Sequence, residues 1–245
     1  MIFLKKRDLL ALITAHVVLD LSKSRNCIIE QPGYYVLNKN WEAREGDSAC
    51  ATVTIRSEVT LDLRGYSITG DGSEDTPVIR IDTKSGVTDL SERSVHLTRG
   101  RLSSERLYTL EFGPMSRVSD TELHCRQSFC VRGRLSSEVR DNRLDGTGGG
   151  ILLYESGNVI DGNLVLNSAS NSIIVFGNDN IVARNTTKGV IGVDIDSARN
   201  VLDGNIAAGI QFKSPGNFFG NNRVARPGGF VGTEGQTDWS GSVRY

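Results

Sequence analysis

The chain has 245 residues, room for one large all-β domain or two small ones. Its 28 basic and 29 acidic residues leave a net charge of −1, which excludes a whole-domain field for nucleic acid or an anionic membrane; a charged polymer would have to meet a local patch. The 27 glycines against 5 prolines predict many tight turns and no proline-rich linker.

The chain opens MIFLKKRDLLALITAHVVLDLSKSRNC. Lys5, Lys6 and Arg7 precede an apolar stretch from Leu9 to Leu19 that is too short to span a bilayer, so no transmembrane segment is expected. Two readings of residues 1–24 stand side by side. One is a secretory signal cleaved after Ser24, which makes the protein secreted or periplasmic. The other is an amphipathic helix, with Leu9, Ile13, Val17 and Leu21 on one side, that caps one end of the fold.

The four cysteines, Cys27, Cys50, Cys125 and Cys130, form no CxxC pair, which argues against a zinc or thioredoxin-type site. They read either as two disulfides, Cys27–Cys50 and Cys125–Cys130, or as four buried thiols.

The repeat emerges from the C-terminal half. NVIDGN (158–163), NIVARN (180–185), NVLDGN (200–205) and NFFGNN (217–222) each carry Asn at both ends. Their closing residues, Asn163, Asn185, Asn205 and Asn222, are 22, 20 and 17 positions apart. Steps of about 21 backward reach Asn142, Thr121 and Gly100. Three residues before each closing position stand Leu97, Val118, Val139, Ile160, Val182, Leu202 and Phe219. Two residues after stand Leu102, Leu123, Leu144, Val165, Thr187, Ala207 and Val224. Two columns that are apolar with one exception, at one shared period, predict an all-β solenoid of about eight coils, with each coil buried by its neighbours about 4.8 Å away. Asn tolerates the left-handed backbone of a bend, and stacked amides form a ladder. The hexapeptide GRLSSE, which starts at both Gly100 and Gly133, does not fit this period, so its two copies should occupy different places around the coil.

These columns, with CIIEQPGYYVLNKNW and ATVTIRSEVTLDLRGYSITGDG upstream, resemble the right-handed parallel β-helix superfamily, with its pectin-lyase-like coils and NosD-type repeats. The resemblance covers roughly Cys27 to Val224 and implies one β-helix domain over 25–230. Residues 231–245 leave the repeat as a C-terminal cap or tail in which Trp239 and Tyr245 cover the last coil. Polar insertions, GDGSEDTP and DTKSGVTDLSERS, lengthen the step between Tyr66 and Gly100 and are expected to overhang a groove. The superfamily spans lyases, epimerases, hydrolases, adhesins and phage spikes, so the fold does not fix an activity. Its best-known catalytic signatures (Asp-Pro-His-Asp, Gly-His-Gly, Asn-Thr-Asp) are missing, so any site must come from geometry.

A second strand per coil supplies that geometry, with Ile151 and Leu153, Ile173 and Val175, Val193 and Ile195, and Ile210 and Phe212 expected inside. One outward column then runs Arg132, Tyr154, Phe176, Asp196, Lys213, and its neighbour runs Cys130, Leu152, Ile174, Asp194, Gln211. Arg132, Tyr154, Asp196 and Lys213 are the candidate catalytic set for a lyase or C5-epimerase acting on a uronic-acid polymer. A cation would neutralise the carboxylate, and Lys213 or Tyr154 would move protons. Phe176, Asp194, Gln211 and His96 are the candidate substrate-binding residues. Asp194 and Asp196 could hold Ca²⁺, though Lys213 competes as an ion partner; no other cofactor is expected. Leu152, Tyr154, Ile174 and Phe176 form an apolar patch that suits a homo-oligomer contact. The leading expectation is an exported protein that binds or modifies an extracellular polysaccharide. The alternative is a non-catalytic structural protein that uses this face for assembly or adhesion.

Overall fold

The computed structural model describes residues 16–19, 21, 27–42, 53–55, 58–70, 78–81, 95–104, 109–111, 113–168, 171–194, 196–240 and 243–244. Among them there is no helix; short parallel strands stack as a β-solenoid of about eight turns with a period of about 21 residues. Three faces of one wound sheet, here A, B and C, surround one core.

The two apolar columns read from the sequence are the inner rows of faces A and B. On face A, Leu97 pairs with Val118, and the row continues through Val139, Ile160, Val182 and Leu202 to Phe219. On face B, Leu102, Leu123, Leu144, Val165 and Thr187 stack in the same way. All are buried. Face C contributes Val131, Ile151, Ile173, Ile191 and Ile210. Gly100 pairs with Thr121 at the A–B corner, whereas Gly133 pairs with Leu153 on face C, so the two GRLSSE copies do not stack.

The Asn ladder is complete. Each amide oxygen from Asn142 to Asn222 accepts the backbone N–H of the closing residue one coil earlier, at 2.9–3.0 Å. A second ladder, not anticipated, runs at the C–A corner: the N–H groups of Ser137, Asn158, Asn180 and Asn200 donate to Asn158, Asn180, Asn200 and Asn217 in turn. Its residues are the opening Asn of the same hexapeptides. A parallel coil cannot bond its own corner amides, and the ladders satisfy those buried groups.

Backbone strain sits beside the ladders. Arg99, Asp120, Asp141 and Arg184 adopt φ of 57°, 52°, 53° and 53° just before the closing residue. Two of these arginines cross the coil step to a buried carboxylate. Asp161 accepts from Arg140 Nη1 at 2.8 Å and from Arg184 Nε at 2.9 Å. Asp62 accepts from Tyr34 Oη at 2.5 Å, Arg99 Nε at 3.1 Å and the Arg64 N–H at 3.0 Å.

Burial alone would raise the Asp62 carboxyl, but the Tyr34 hydroxyl, the Arg99 guanidinium and the Arg64 N–H outweigh it and hold it below its ordinary value of 3.8. On acidification the unfolded chain therefore takes up this proton first. The stabilisation is complete above the ordinary carboxylate range and is lost as pH falls through the lower folded value. Asp62→Asn is expected to flatten the acid limb of a urea-midpoint-against-pH curve and to lower the neutral-pH midpoint. An unchanged acid limb would remove Asp62 from this role.

At the start of the described chain, Val17–Val18 is a strand parallel to Tyr35–Val36, not the last turn of a helix. The β-branched pair extends face A, and Leu21 is buried behind it. Residues 1–15, 20 and 22–24 of the expected helix or signal segment, and both polar insertions apart from Gly70, lie outside the described residues. Cys125 and Cys130 form a disulfide with a Cα–Cα distance of 5.2 Å. Cys27 is disulfide-bonded as well; Cys50 lies outside the described residues. Trp239 packs on Gly220, whose Cβ, if present, would lie 2.2 Å from the indole nitrogen, yet the ring stays 44% exposed. Tyr245 lies outside the described residues.

Candidate functional site

Face C carries Arg132, Tyr154, Phe176, Asp194, Gln211 and Lys213, and its register departs from the expected one by two positions at Arg132 and at Asp194. Arg132 pairs with Leu152, not Tyr154. Behind the inner row, Tyr154 N–H bonds Gly133 O, Phe176 N–H bonds Leu153 O, Asp194 N–H bonds Val175 O and Lys213 N–H bonds Val193 O. The stacked column is therefore Tyr154, Phe176, Asp194, Lys213. Asp196 falls in the following bend, exposed and at φ 58°. The inner pair of that coil is Ile191 and Val193, and Ile195 lies outside the described residues. Alternation decides which face a side chain takes, but a slip of two leaves every face unchanged, so GVIGVDID reads equally well in either register.

Two other expected placements change. Cys130 is fully buried in its disulfide, because its strand enters face C from a tight bend. Gln211 keeps its track but stands opposite Gly192, not Asp194. His96 is on face A, between Thr60 and Arg117, and its Nε2 lies 3.0 Å from Ser119 Oγ. Burial and then the Arg117 charge lower its pKa and favour the neutral ring.

The side chains on face C nevertheless form two contact groups, Arg80–Glu111–Arg132–Tyr154–Phe176 and Asp194–Lys213, which follow one another in the stack. Arg80 Nε lies 3.3 Å from Glu111, and Glu111 lies 3.7 Å from Arg132 Nη1. The Arg132 guanidinium carbon is 5.5 Å from the Tyr154 ring centroid, a diagonal reach across the strands. Tyr154 stacks on Phe176 with centroids 5.1 Å apart and planes 14° apart. Beyond Phe176, Asp194 receives Lys213 Nζ at 3.1 and 3.2 Å. The expected partner of Lys213 was Asp196; the corrected register makes it Asp194.

This geometry restricts the chemistry. The stacked rings turn their faces toward each other, and Arg132 covers the outer face of Tyr154, so the aromatic pair presents edges to solvent. A ligand here meets ring edges, a hydroxyl and paired charges, not an aromatic platform. Leu152 is only 6% exposed, so the apolar patch expected on this face is reduced to half-buried Tyr154, Ile174 and Phe176. An exposed apolar column lies on face A instead, where Val159, Ile181, Val201 and Phe218 stack in register. Sequence extrapolation also missed Arg80 and Glu111. Glu111 stands one 21-residue step before Arg132, but the long insertion hid Arg80.

A family model described as "Periplasmic copper-binding protein (NosD)" matches residues 49–224. No curated protein and no solved structure matches the chain at a significant level. Copper favours imidazole, thiolate and thioether donors. Among the described residues no group of three or more His, Cys, Asp or Glu side chains could hold a metal ion. His96 and His124 stand on different faces, and the Cys125 and Cys130 sulfurs are bonded to each other. The described donor set therefore does not fit copper. The Ca²⁺ site expected at Asp194 and Asp196 has no support either, since Asp194 is engaged by Lys213 and Asp196 has turned into the bend. Among the described residues no helix is long and apolar enough to cross a membrane. The match spans more than half of the chain and coincides with the stacked coils and their Asn ladders: the chain belongs to the NosD family of periplasmic β-helix proteins.

Proposed function

We propose that this protein is a non-catalytic binding scaffold whose face C engages an extended polysaccharide lying along the solenoid axis. The observation that carries the reading is the outward row Arg80–Glu111–Arg132–Tyr154–Phe176, whose side chains touch in series and which the Asp194–Lys213 pair continues on the following coils. Its members recur about every 4.8 Å, a spacing comparable to the rise of one sugar in an extended glycan. Planar guanidinium and carboxylate groups and the Tyr154 hydroxyl offer hydroxyl-binding edges in series. Binding is favoured over lyase or epimerase chemistry because the two cations are already engaged, Arg132 by Glu111 and Lys213 by Asp194.

Titration with polygalacturonate, alginate and a neutral glucan, followed by calorimetry, tests the reading. One polymer should bind, and Tyr154→Ala combined with Lys213→Glu should weaken it by about tenfold or more. Ultraviolet absorbance of unsaturated products and C5 inversion by NMR are read in the same samples. Turnover would replace binding with catalysis, and no binding to any polymer would end the proposal.

A second reading, assembly, is favoured by the face A column Val159–Ile181–Val201–Phe218, of which Ile181 is 43% exposed. Light scattering of Ile181→Lys against the unchanged protein separates the two: loss of an oligomer supports assembly.

A further inference from the structure

The A–B corner changes its construction along the chain. From Thr98 onward two residues link the faces, as Arg99–Gly100, Asp120–Thr121 and Asp141–Asn142 do. Between Asp62 and Ser67 four residues make the same turn: Leu63, Arg64, Gly65 and Tyr66. The Asn ladder stops where this begins. Gly100 occupies the ladder position, and a Cβ there would lie 2.2 Å from the Cβ of fully buried Leu63, which fills the interior in its place. The two extra residues stand outside the core, with Gly65 at φ 83°.

A cavity of about 370 Å³ opens beside this corner, lined by Asn40, Gly65, Ser67, Gly100, Arg101 and Glu122. That size is in the range of small-ligand sites. Gly65 and Gly100 leave backbone exposed on its wall. Asn40 uses its amide oxygen to accept the Ser67 N–H at 3.0 Å; its amide nitrogen and the Ser67 hydroxyl have no partner among the described residues. Across from them Arg101 Nε donates to Glu122 at 2.8 Å, and Arg143 approaches Glu122 at 3.3 Å from the next coil. The lining offers donors and acceptors in alternation and carries no excess charge.

We infer that this corner cavity is a binding site for one uncharged, polyhydroxylated residue, a single hexose unit. Ring hydroxyls would bridge the Asn40 amide and Ser67 hydroxyl on one wall to the Arg101–Glu122 pair on the other. Arg101 and Arg143 are both turned to Glu122, so neither guanidinium stands ready to anchor an anion. The site is separate from face C and does not depend on polymer binding there.

The probes are the methyl glycosides of glucose, galactose and mannose, with galacturonate as the anionic counterpart. Amide NMR of the full chain follows Gly65, Ser67 and Gly100 at the site and Phe176 and Lys213 on face C. At least one neutral glycoside should shift the first group and leave the second unmoved, with saturation in the millimolar range. Asn40→Asp retains the oxygen that accepts the Ser67 N–H and replaces the amide donor with a charged acceptor, so the corner should stay folded while affinity falls about threefold to tenfold. Ser67→Ala should weaken binding to a similar extent. No shift with any neutral glycoside, preferential binding of galacturonate, or affinity unchanged in both variants would overturn the inference.

Discussion

Asn163→Ala is expected to cost about 2–5 kcal/mol, one of the two largest single losses anticipated for this chain. Asn163 is 1% exposed and serves three coils at once. Its oxygen accepts both the backbone N–H and the side-chain amide of Asn142, at 3.0 and 3.1 Å. Its own amide donates to Val139 O at 2.8 Å, Asp161 O at 3.1 Å and the Asn185 oxygen at 3.0 Å. Alanine would leave the Asn142 N–H buried with no acceptor and remove a donor from the corner carbonyls. The cost is high because water cannot replace these partners inside the corner. Exposed Asn167, which donates to Asp145 at 2.8 Å from a left-handed backbone at φ 57°, is the control: Asn167→Ala should cost no more than about 1 kcal/mol, the strain of alanine at positive φ included. Urea unfolding of the two variants reads the difference directly, and equal midpoints would show that the ladder adds little.

Gly146→Ala should be of similar severity for a steric reason. The segment GTGGG (146–150) passes directly beneath the loop closed by Cys125 and Cys130. A Cβ on Gly146 would lie 2.4 Å from Gly149 O, 2.5 Å from Cys125 Sγ and 2.8 Å from Cys130 Sγ. Gly148 and Gly149 are equally confined, against Gln127 O at 2.7 Å and the Phe129 ring at 2.5 Å. Either the corner shifts or the disulfide fails to close. Overpacking costs about 1–3 kcal/mol and loss of a disulfide about 2–5. Thermal unfolding, with free thiols counted in denaturant, distinguishes the two outcomes. Gly192→Ala on face C is the comparison: its nearest non-adjacent atom would be Ile173 O at 4.0 Å, so a methyl group is accommodated. If Gly146→Ala unfolds like Gly192→Ala, the glycine run has no packing role.

The face C site was only partly legible in the linear chain. Tyr154, Phe176 and Lys213 were placed in one column because each follows an alternating apolar pair, and that column is the one observed. Asp196 was placed wrongly for Asp194, and Arg132 was set opposite Tyr154. In both places alternate apolar residues continue beyond the strand, so the pattern names the face but leaves a two-residue choice of register. Only the hydrogen bonds between coils resolve that choice. The ring stacking was not legible at all. Two aromatics one coil apart can show faces or edges to solvent, and the neighbouring Arg132 decides which.

What the amino-acid order determined alone was the solenoid: its period, the inner rows of faces A and B, and the ladder from Asn142 to Asn222. These follow from identical chemistry recurring in register, since one coil can bury its inner face only against another coil like itself. What the tertiary structure alone decided was everything that compares unlike neighbours. It set the partner of Lys213, and it carried Arg99 and Arg184 back to buried carboxylates. It also enlarged the corner at Leu63–Tyr66, where the ladder gives way to a cavity. Those contacts join residues 19 to 37 positions apart across coils of unequal length, and their register is set by packing and hydrogen bonding rather than by the repeat.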